Sequence, residues 1–373
     1  MPSIDYQKRE ETAVKAIKDA IPANLKKNML KISEGQFAEL YENKEIFPNH
    51  YLACGIDGVG TKVLIAEGMK KFDTVGIDCV AMNANDLATL GQVSPFIFLD
   101  YLACQAKIEE EGITGDIIKG VVKGLEQCDA SDILRNSICI NFGKGETASA
   151  DELLGSFNPG YGFDIGGALI GFIKKEHIKK IIEDNFVIIA FESSGPHSNG
   201  YTDLRNYLLD GKFEKRDEFR KRYKGRFSLN DKIPGTDQSI GTALLEPTRI
   251  YVKVMAAITE KFPYVMGINN TGYGLKNFNR IKGFEFIIEN PMKPQPIFRL
   301  MQDESKFSDE EMYKRFNMGM GFFIIADKDD ADEILKIAKE YDTNSKVIGY
   351  VNKSSSTQTI LIKGENKIIY EGY

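Results

Sequence analysis

A short apolar run followed by a glycine-rich polar stretch, Tyr51-Leu52-Ala53-Cys54-Gly55-Ile56-Asp57-Gly58-Val59-Gly60-Thr61-Lys62, introduces the pattern on which the chain is built. The apolar part, Tyr51–Cys54, predicts a β-strand that leads directly into the polar part. Glycines let the backbone approach a ligand closely, and their N–H groups can cradle phosphate oxygens. Asp57 could hold Mg²⁺ there and Lys62 could neutralise phosphate charge, but a tight turn accounts for the segment equally well.

The alternation of strand-like and helix-like segments continues along the whole chain. Apolar β-branched and aromatic runs predict strands at Tyr51–Cys54, Phe96–Leu102, Ser137–Phe142, Gly166–Ile173, Phe186–Phe191, Phe284–Ile288, Gly321–Ile325 and Lys346–Val351. Helical spacing predicts helices at Thr12–Ile21, Asp78–Leu90, Thr114–Glu126, Asn199–Leu209, Thr248–Lys261 and Lys328–Tyr341. This mixture indicates an α/β or α+β fold.

The length of 373 residues allows two domains, each with a core of its own. A charged piece, Lys174–Asn185, precedes the predicted strand Phe186–Phe191 and marks the expected boundary. We therefore expect residues 1–175 and 176–373 to form two domains, each a mixed sheet with helices on one side.

Charge and composition argue against several classes of protein. The chain carries 48 Lys+Arg against 54 Asp+Glu, a formal charge of −6, which does not favour a nucleic-acid-binding protein. Charged residues interrupt every apolar run well before the ~18 residues that span a bilayer, so no membrane association is expected. Because the first residues lack the apolar segment of a secretory signal, we expect a cytoplasmic protein.

The cysteines and histidines argue against a zinc or redox site. The cysteines are never two or three residues apart, so no Cys-x-x-Cys motif exists and reduced, buried thiols are expected. With only three histidines, a bound metal would be held by carboxylates, which suit Mg²⁺. The residues concerned are Cys54, Cys79, Cys104, Cys128, Cys139, His50, His177 and His197.

Polar residues interrupt the apolar helical pattern that follows Gly76. On a helix, Asp78 and Asn85 share one face, with Asp86 beside it. Helix N-capping would explain Asp78. It does not explain Asn85 and Asp86, which are poor helix formers inside an apolar helix, so a ligand or metal role is favoured for this pair.

Further acidic residues lie in or after the predicted strands of the first half. Asp100 interrupts an apolar strand and needs a cation, a metal or backbone donors. Glu146, in the glycine-containing stretch Gly143–Ala148, follows the predicted strand Ser137–Phe142. Carboxylates gathered around phosphates are the usual arrangement for Mg²⁺–ATP, so we expect these acids to converge with Asp57.

Two segments of the second half have an unusual composition. Ser193–Tyr201 combines hydroxyls, glycines and the start of a predicted helix, which favours anion binding over a simple capped turn. Lys212–Arg226 holds eight basic and three acidic residues. A solvated surface helix is the main interpretation, and a lid over a phosphorylated ligand is the alternative.

Together these motifs resemble the aminoimidazole ribonucleotide synthetase (phosphoribosylformylglycinamidine cyclo-ligase) family. The matching stretches occur in family order between about residues 50 and 351. Ser193–Tyr201 and Pro247–Lys253 are specific to the cyclo-ligase, whereas the acid clusters are shared by its ATP-binding superfamily. The stretches are Asp57–Lys62, Asp73–Asp78 through Asn85-Asp86, Phe98–Tyr101, Gly145–Ala148, Ser193–Tyr201, Glu246–Lys253, Thr271–Gly274 and Phe316–Gly321.

The resemblance implies two α/β domains and a homodimer in which the N-terminal sheets pair into a barrel. It implies that ATP, bound with Mg²⁺, phosphorylates the formamide oxygen of a small ribonucleotide substrate, after which an amidine nitrogen closes the imidazole ring and expels phosphate. An amide oxygen leaves poorly until it is phosphorylated, so the enzyme mainly positions the reactants and screens charge.

The resemblance also implies roles for individual residues. Asp57, Asp78, Asp86 and Asp100 would hold the metal. ATP would be bound by Asp57, Gly58, Gly60, Lys62, Asp78, Asn85, Asp86, Glu146 and Thr147. The ribonucleotide would be bound by Ser193, Ser194, Gly195, Ser198, Asn199, Arg249, Thr271 and Gly272. Asp100, His197 and Asn269 would be catalytic.

This chain departs from the family pattern in three places. The family's N-terminal segment is reduced to a faint trace at Asp5–Lys8, Lys144 replaces a glycine, and Asn269 replaces a histidine. Asparagine forms hydrogen bonds but does not exchange a proton near neutral pH.

Two alternatives stay open: another ATP-dependent enzyme of the superfamily, and a catalytically silent nucleotide-binding paralogue. Selenophosphate synthetase and thiamine-monophosphate kinase are disfavoured, because the early reactive cysteine and the Gly-Gly-Asp-Thr motif they require are absent.

Overall fold

The computed structural model describes residues 13, 15–17, 19–212, 214 and 216–372, and it contains two β-sheets with flanking helices. Within these residues the strands are β1 (Glu39–Tyr41), β2 (His50–Gly58), β3 (Val93–Cys104), β4 (Asn141–Ser149), β5 (Phe163–Lys174), β6 (Val187–Glu192), β7 (Met266–Asn269), β8 (Phe284–Ile288), β9 (Met320–Ala326), β10 (Ser345–Lys353), β11 (Gln358–Lys363) and β12 (Asn366–Glu371).

Besides the helical residues 13, 15–17, 19 and 20, the α-helices of the described residues are α1 (Val63–Met69), α2 (Asp73–Ala88), α3 (Ala106–Glu110), α4 (Ile113–Cys128), α5 (Ser131–Leu134), α6 (Tyr201–Leu208), α7 (Asp217–Arg220), α8 (Ile240–Leu245), α9 (Val252–Lys261), α10 (Pro296–Ser305), α11 (Asp309–Arg315) and α12 (Ala331–Glu340). Short 3₁₀ segments lie at Ala23–Lys26, Lys31–Ser33, Gly60–Lys62, Lys175–Ile178, Gly274–Arg280 and Lys328–Asp330. The predicted helix Thr12–Ile21 begins outside the described residues, and its described residues 13, 15–17, 19 and 20 are helical, as predicted. None of the helices described combines the length and apolar character that crossing a bilayer requires.

The first sheet has the strand order β1-β2-β5-β3-β4, with β3 and β4 parallel and the other pairs antiparallel. Buried residues alternate along β5, and the buried face lies against α2. Helix α2 packs closely on α4, because a β-carbon on Gly120 would lie 1.9 Å from the carbonyl oxygen of Asp73. The opposite face of the sheet presents exposed apolar side chains.

The second sheet has the order β12-β11-β8-β10-β6-β9-β7, and only β8 and β11 run parallel in it. Every residue of β9 is buried, as is typical of a strand that is covered on both faces. The prediction of an α/β fold with two mixed sheets is confirmed. At the centre of the second sheet, however, both faces are covered, whereas the sequence predicted a helical layer on one side.

Some boundaries differ from the predicted ones in ways that matter for the site. The predicted strand Phe284–Ile288 is β8. Strand β4 starts at Asn141 and continues to Ser149, so Gly143–Ala148 lies within the strand and not in a loop after it. Parallel pairing with β3 stabilises this polar segment in spite of its weak β-propensity. The strands β1, β7, β11 and β12 are short and were not predicted.

Among its described residues, the basic segment Lys212–Arg226 contains a single helical turn, α7, and not a continuous surface helix. Arg216 pairs with Glu214 at 2.9 Å, and Arg226 pairs with Glu304 at 2.8 Å. The Glu214 carboxylate is only 1% exposed, so this acid of the segment is buried in the protein, and the segment is held there.

Candidate active site

Asp57 and Asp100 lie at the same level of the first sheet. Asp57 on β2 and Asp100 on β3 both pair with Gly167, which lies between them on β5. Both side chains are on the helix-covered face, since Gly55, two residues before Asp57, lies against Leu87 of α2. The strand register therefore brings together two acids that are 43 positions apart in the sequence.

Asp100 has an oxygen that the rest of the protein does not use. The residue is 8% exposed, and its Oδ1 has no hydrogen-bond partner among the described residues. Burial raises the pKa of this carboxyl. A β-carbon on Gly145 would lie 2.4 Å from Oδ1, so the glycine at this position leaves room for the carboxylate. A buried oxygen without a partner is costly unless a cation or donor binds it.

Asp78 has the opposite surroundings, and its predicted role as a metal ligand is wrong for this geometry. Its carboxylate forms a fully buried ion pair with Lys62, with Nζ at 2.8 and 2.9 Å from the two oxygens. Asp78 Oδ1 also accepts hydrogen bonds from the backbone N–H and the hydroxyl of Thr248. Helix α2 begins at Asp73, so Asp78 is not its N-cap either.

Lys62 is likewise unable to neutralise a phosphate, contrary to the sequence prediction. Its side chain is 0% exposed, and the ammonium donates to Asp78 and to the carbonyl oxygens of His197 and Glu246. Burial lowers the pKa of Lys62, while the Asp78 carboxylate opposes that shift. All the donors of the ammonium are thus used inside the protein.

The Asn85–Asp86 pair connects α2 to the second half of the chain. Asn85 donates to the carbonyl oxygen of Arg249 and accepts from the backbone N–H of Tyr251, at 2.8 and 2.9 Å. Asp86 accepts from Nδ2 of Asn269 at 2.8 Å. Burial raises the pKa of Asp86 to about 7, Asn269 opposes the shift, and the Asp57 charge adds to it. The Asn85 side chain is thus structural, and Asn269 positions an acid.

The side chain of the remaining acid, Glu146, does not lie on the same face of the sheet as Asp100. It pairs with Tyr101 across β3 and β4, whereas Asp100 pairs with Gly145, so the two acids point to opposite faces of the sheet. Its side chain is 61% exposed and lies 3.8 Å from Lys144. Thr147 lies on the same edge strand as Glu146, β4, and pairs with Leu102 of β3.

The predicted four-carboxylate metal site is therefore not formed. In the part of the chain that the structure describes, no three histidine, cysteine, aspartate or glutamate side chains are grouped so that they could hold a metal ion. Mg²⁺ in phosphate-binding sites commonly needs only one or two protein carboxylates besides the phosphates. Asp100, with its unused Oδ1, suits that smaller requirement, and Asp57 lies beside it with its Oδ1 accepting the Gly58 N–H at 2.7 Å, whereas Asp78 and Asp86 are engaged by Lys62 and Asn269.

The Ser193–Asn199 segment follows β6 and is held by buried hydrogen bonds. Ser193 Oγ donates to Asn317 Oδ1 at 3.0 Å, and Asn317 Nδ2 donates to the carbonyl oxygen of Gly195 at 2.8 Å. Ser194 Oγ donates to the carbonyl oxygen of Pro247. Three of the predicted substrate-binding residues are thus tied into the scaffold. Asn317 was not singled out, although a polar residue within the run Phe316–Gly321 was a signal for it.

His197 is buried and does not reach solvent. It is 2% exposed, with a φ of +58°, and its ring packs against Tyr251 and Gly321. Burial, together with the charges of Lys62 and Arg249, lowers the pKa of His197 to about 3. The imidazole is therefore neutral at physiological pH, and its buried position does not favour the predicted catalytic role.

Accessible polar residues do meet at the end of this segment. Asn199 Oδ1 lies 3.5 Å from the position that a β-carbon on Gly272 would occupy. Asn199 and Thr271 are partly exposed and Gly272 is exposed. Ser198 Oγ lies 3.4 Å from the hydroxyl of Thr248. The structure thus brings together the outer members of the predicted substrate set.

Arg249 lines a cavity of about 330 Å³ that is also lined by Lys253, Gln127 and Thr343. One guanidinium nitrogen donates to the carbonyl oxygen of Asp342 at 2.8 Å. The cavity is formed by both halves of the chain, because Gln127 belongs to α4 and Lys253 to α9.

Comparison with known proteins identifies the chain's relatives. The family described as AIR synthase related protein matches with its N-terminal domain at residues 41–158 and its C-terminal domain at residues 184–362. The phosphoribosylformylglycinamidine cyclo-ligase of Methanosarcina acetivorans is 37% identical over 324 residues, covering 86% of this chain and 84% of the relative. That of Methanococcoides burtonii is 36% identical over 360 residues, covering 94% and 93%.

Solved structures show the same fold at low identity. The HypE–HypF complex matches with a TM-score of 0.54 and 15% identity, covering 91% of this chain and 97% of that one. Thermotoga maritima PurL complexed with FGAR matches with a TM-score of 0.53 and 11% identity, covering 92% and 48%. With its two matched domains and its relatives of 36–37% identity, the chain belongs to the phosphoribosylformylglycinamidine cyclo-ligase family.

Proposed function

We propose that this protein is an ATP-dependent cyclo-ligase of purine biosynthesis that converts formylglycinamidine ribonucleotide to aminoimidazole ribonucleotide. The observation that carries the proposal is the 36% identity over 94% of the chain to a relative with that name. The γ-phosphoryl group of ATP passes to the formamide oxygen, an amidine nitrogen attacks the same carbon, and phosphate leaves with the oxygen. The protein's task is to hold the reactants in line and to screen charge.

Residues 1–175 supply the nucleotide side in this proposal. Asp57 and Asp100 are the acids whose position supports Mg²⁺ binding, because they flank Gly167 and Asp100 has an unused buried oxygen. When bound with ATP, Mg²⁺ supplies charge neutralisation at the phosphates. A solved structure of similar fold, Thermotoga maritima PurL, is a complex with ATP.

Residues 176–373 supply the ribonucleotide side. Asn199, Thr271 and Gly272 are accessible and adjacent, so their amide, hydroxyl and backbone groups can hydrogen-bond a sugar or phosphate. The segment that carries Asn199 is held by Asn317 from within the second half and by Lys62 from the first. Pre-organisation of this kind lowers the entropy cost of binding a small ligand.

A homodimer forms through the open face of the first sheet in this proposal. Ile56 is 83% exposed and Tyr101 54%, and Phe96 is also exposed on this face. A contiguous apolar surface of this kind is typical of an interface. Pairing of two such sheets into a barrel, as the family resemblance implies, would bury it. The cytoplasmic location is part of the same proposal.

Incubation of the pure protein with ATP, Mg²⁺ and formylglycinamidine ribonucleotide tests the function. We expect aminoimidazole ribonucleotide and phosphate in equal amounts, and Asp100→Asn should reduce the rate more than Glu146→Gln. ATP binding without turnover would indicate the nucleotide-binding paralogue. ATP turnover without the imidazole product would indicate another enzyme of the superfamily.

A further inference from the structure

Lys62 occupies an unusual position for a lysine. It ends the 3₁₀ turn Gly60–Lys62 and precedes α1, yet its side chain is completely buried. Lysine is among the residues least often buried, because the ammonium loses its hydration unless other groups replace it. In this protein the replacement comes from distant parts of the chain.

The ammonium has three donors and meets three acceptor groups. These are the Asp78 carboxylate, the carbonyl oxygen of His197 at 2.9 Å and the carbonyl oxygen of Glu246 at 2.7 Å. The three groups are 16, 135 and 184 positions away in sequence. One side chain therefore joins α2 of the first half to two separate segments of the second.

Asp78 provides a second link in parallel. It accepts hydrogen bonds from Thr248 N at 2.7 Å and from Thr248 Oγ1 at 2.6 Å. The ring of Tyr201 lies 5.6 Å from the Lys62 ammonium, and its hydroxyl donates to the carbonyl oxygen of Leu244. Asp78 Oδ2 has the Lys62 ammonium at 2.8 Å as its ion-pair contact, and the other polar groups of the cluster are hydrogen-bonded, the condition under which a buried ion pair is tolerated.

The position of the His197 carbonyl determines where the chain that follows it lies. His197 has a φ of +58° and Gly200 a φ of +75°, so the backbone between β6 and α6 follows no regular structure. Ser198 and Asn199 follow His197 directly. Their placement relative to Asp57 and Asp100 therefore depends on how the His197 peptide is anchored to the first half, and Lys62 is that anchor.

We propose that Lys62 is a positioning residue: its ammonium holds the His197 and Glu246 carbonyls against Asp78 and thereby sets Ser198 and Asn199 at the distance from the nucleotide side that the reaction needs. This inference rests on the proposed function, which assigns Asn199 to the ribonucleotide. A misplacement of reactants by about 1 Å can cost on the order of 100-fold in rate.

Two variants separate positioning from stability. Lys62→Met removes the ammonium and leaves the Asp78 charge buried, so it should fold less stably. Lys62→Met/Asp78→Asn removes both charges and should recover much of that stability. We expect kcat/KM for the ribonucleotide to fall about 100-fold in both variants, while the Kd for ATP changes less than about threefold.

Matched controls exclude a general effect. Lys261→Met removes a lysine from a surface pair with Glu333 at 3.0 Å, and Ile334→Ala destabilises a buried site in α12. Neither should change kcat/KM by more than about twofold when assayed well below its unfolding temperature. Recovery of both stability and kcat/KM in the double variant would overturn the proposal, because Lys62 would then be merely structural.

Amide hydrogen exchange provides a readout that does not depend on activity. Peptides covering residues 194–200 should exchange about tenfold faster in the double variant than in the wild type, and peptides from α12 should not change. Unchanged exchange at 194–200 in the double variant would overturn the proposal even if the wild type is an active cyclo-ligase. Faster exchange in a protein that makes no imidazole product would support the anchor and refute the proposed function.

Discussion

Asp78 and Asp100 are buried carboxylates in the same half of the chain, but their surroundings are opposite. Asp78 lies against the Lys62 ammonium and two donors of Thr248, so its charge is compensated within the protein. Asp100 lies above Gly145 with a buried oxygen that no described residue engages. The first stabilises the contact between the two halves, and the second is the acid that we propose for a ligand.

The difference shows that burial alone does not identify a ligand-binding acid. A buried carboxylate with an ammonium and several donors is already solvated by the protein, and adding a metal would require breaking those bonds. A buried carboxylate with an unused oxygen bears a desolvation cost that a cation can relieve. Variants at five acids test this distinction.

The largest effect is expected for Asp78→Ala. It leaves the Lys62 ammonium buried without its counter-ion, which should lower the free energy of unfolding by about 3–5 kcal/mol. Denaturant-induced unfolding at pH 7 measures it. The double variant Lys62→Met/Asp78→Ala should lose less than the single one, and a loss below ~1 kcal/mol in the single variant would contradict the buried ion pair.

Asp100→Asn should affect binding more than folding. Replacing the anionic carboxylate by a neutral amide should weaken Mg²⁺–ATP binding roughly tenfold, about 1.4 kcal/mol, while the unfolding free energy changes by less than ~1 kcal/mol. Titration calorimetry with and without Mg²⁺ measures this, and affinity for metal-free ATP serves as the control. Asp57→Asn should behave in the same way. Equal affinities in variant and wild type would remove Asp100 from the site.

Glu67 is an intermediate case, because it is 1% exposed and accepts a hydrogen bond from the Asn158 backbone N–H but has no counter-ion within ion-pair distance among the residues the structure describes. Burial raises the pKa of Glu67 to about 7 from its usual 4.5. The folded protein then binds more protons, so this stabilising contribution is present below about pH 4.5 and is lost as the pH rises through 7.

Glu67→Gln should remove this dependence. We expect the fall in unfolding free energy between pH 5 and pH 8 to shrink by ~1–2 kcal/mol, since the amide does not titrate. Unfolding curves at the two pH values give the answer, with Glu146→Gln as the exposed-acid control. An unchanged fall would show that the Glu67 carboxylate is ionised in the folded protein throughout this range.

The smallest effect is expected for Glu146→Gln. Its exposed pair with Lys144 should contribute less than ~0.5 kcal/mol, and its position on the opposite face from Asp100 predicts an ATP affinity within about twofold of the wild type. The same calorimetric titration applies. A tenfold weaker affinity would show that Glu146 contacts the nucleotide. It would contradict the inference drawn from its position on the opposite face of the sheet.

Much of the fold could be predicted from local pattern. The runs that became β8 and β9 and the helical spacing that became α4 and α9 were recognisable, because continuous apolar runs and 3.6-residue periodicity are local properties. Strand β4 was placed too early, since its polar, glycine-containing part becomes a strand only by pairing with β3. The short β7 and the terminal hairpin β11–β12 had no comparable signal.

The site was predicted as a set of residues but not as an arrangement. The sequence identified Asp57, Asp100, Asn199 and Thr271, whose positions suit ligand binding. It also assigned Lys62 and Asp78 to the ligand, although they bind each other, and His197, which is buried and neutral. The types of these residues were informative, but their partners were not visible in the sequence.

The amino-acid sequence by itself determined the α/β class, the order of the motifs and the family, because these depend on residue types and on spacing along the chain. Only the tertiary structure decided which acids are available to a ligand. The reason is that the charge of a carboxylate is compensated by whatever lies within about 3 Å of it. For Asp78 that is a lysine 16 positions earlier and a threonine 170 positions later.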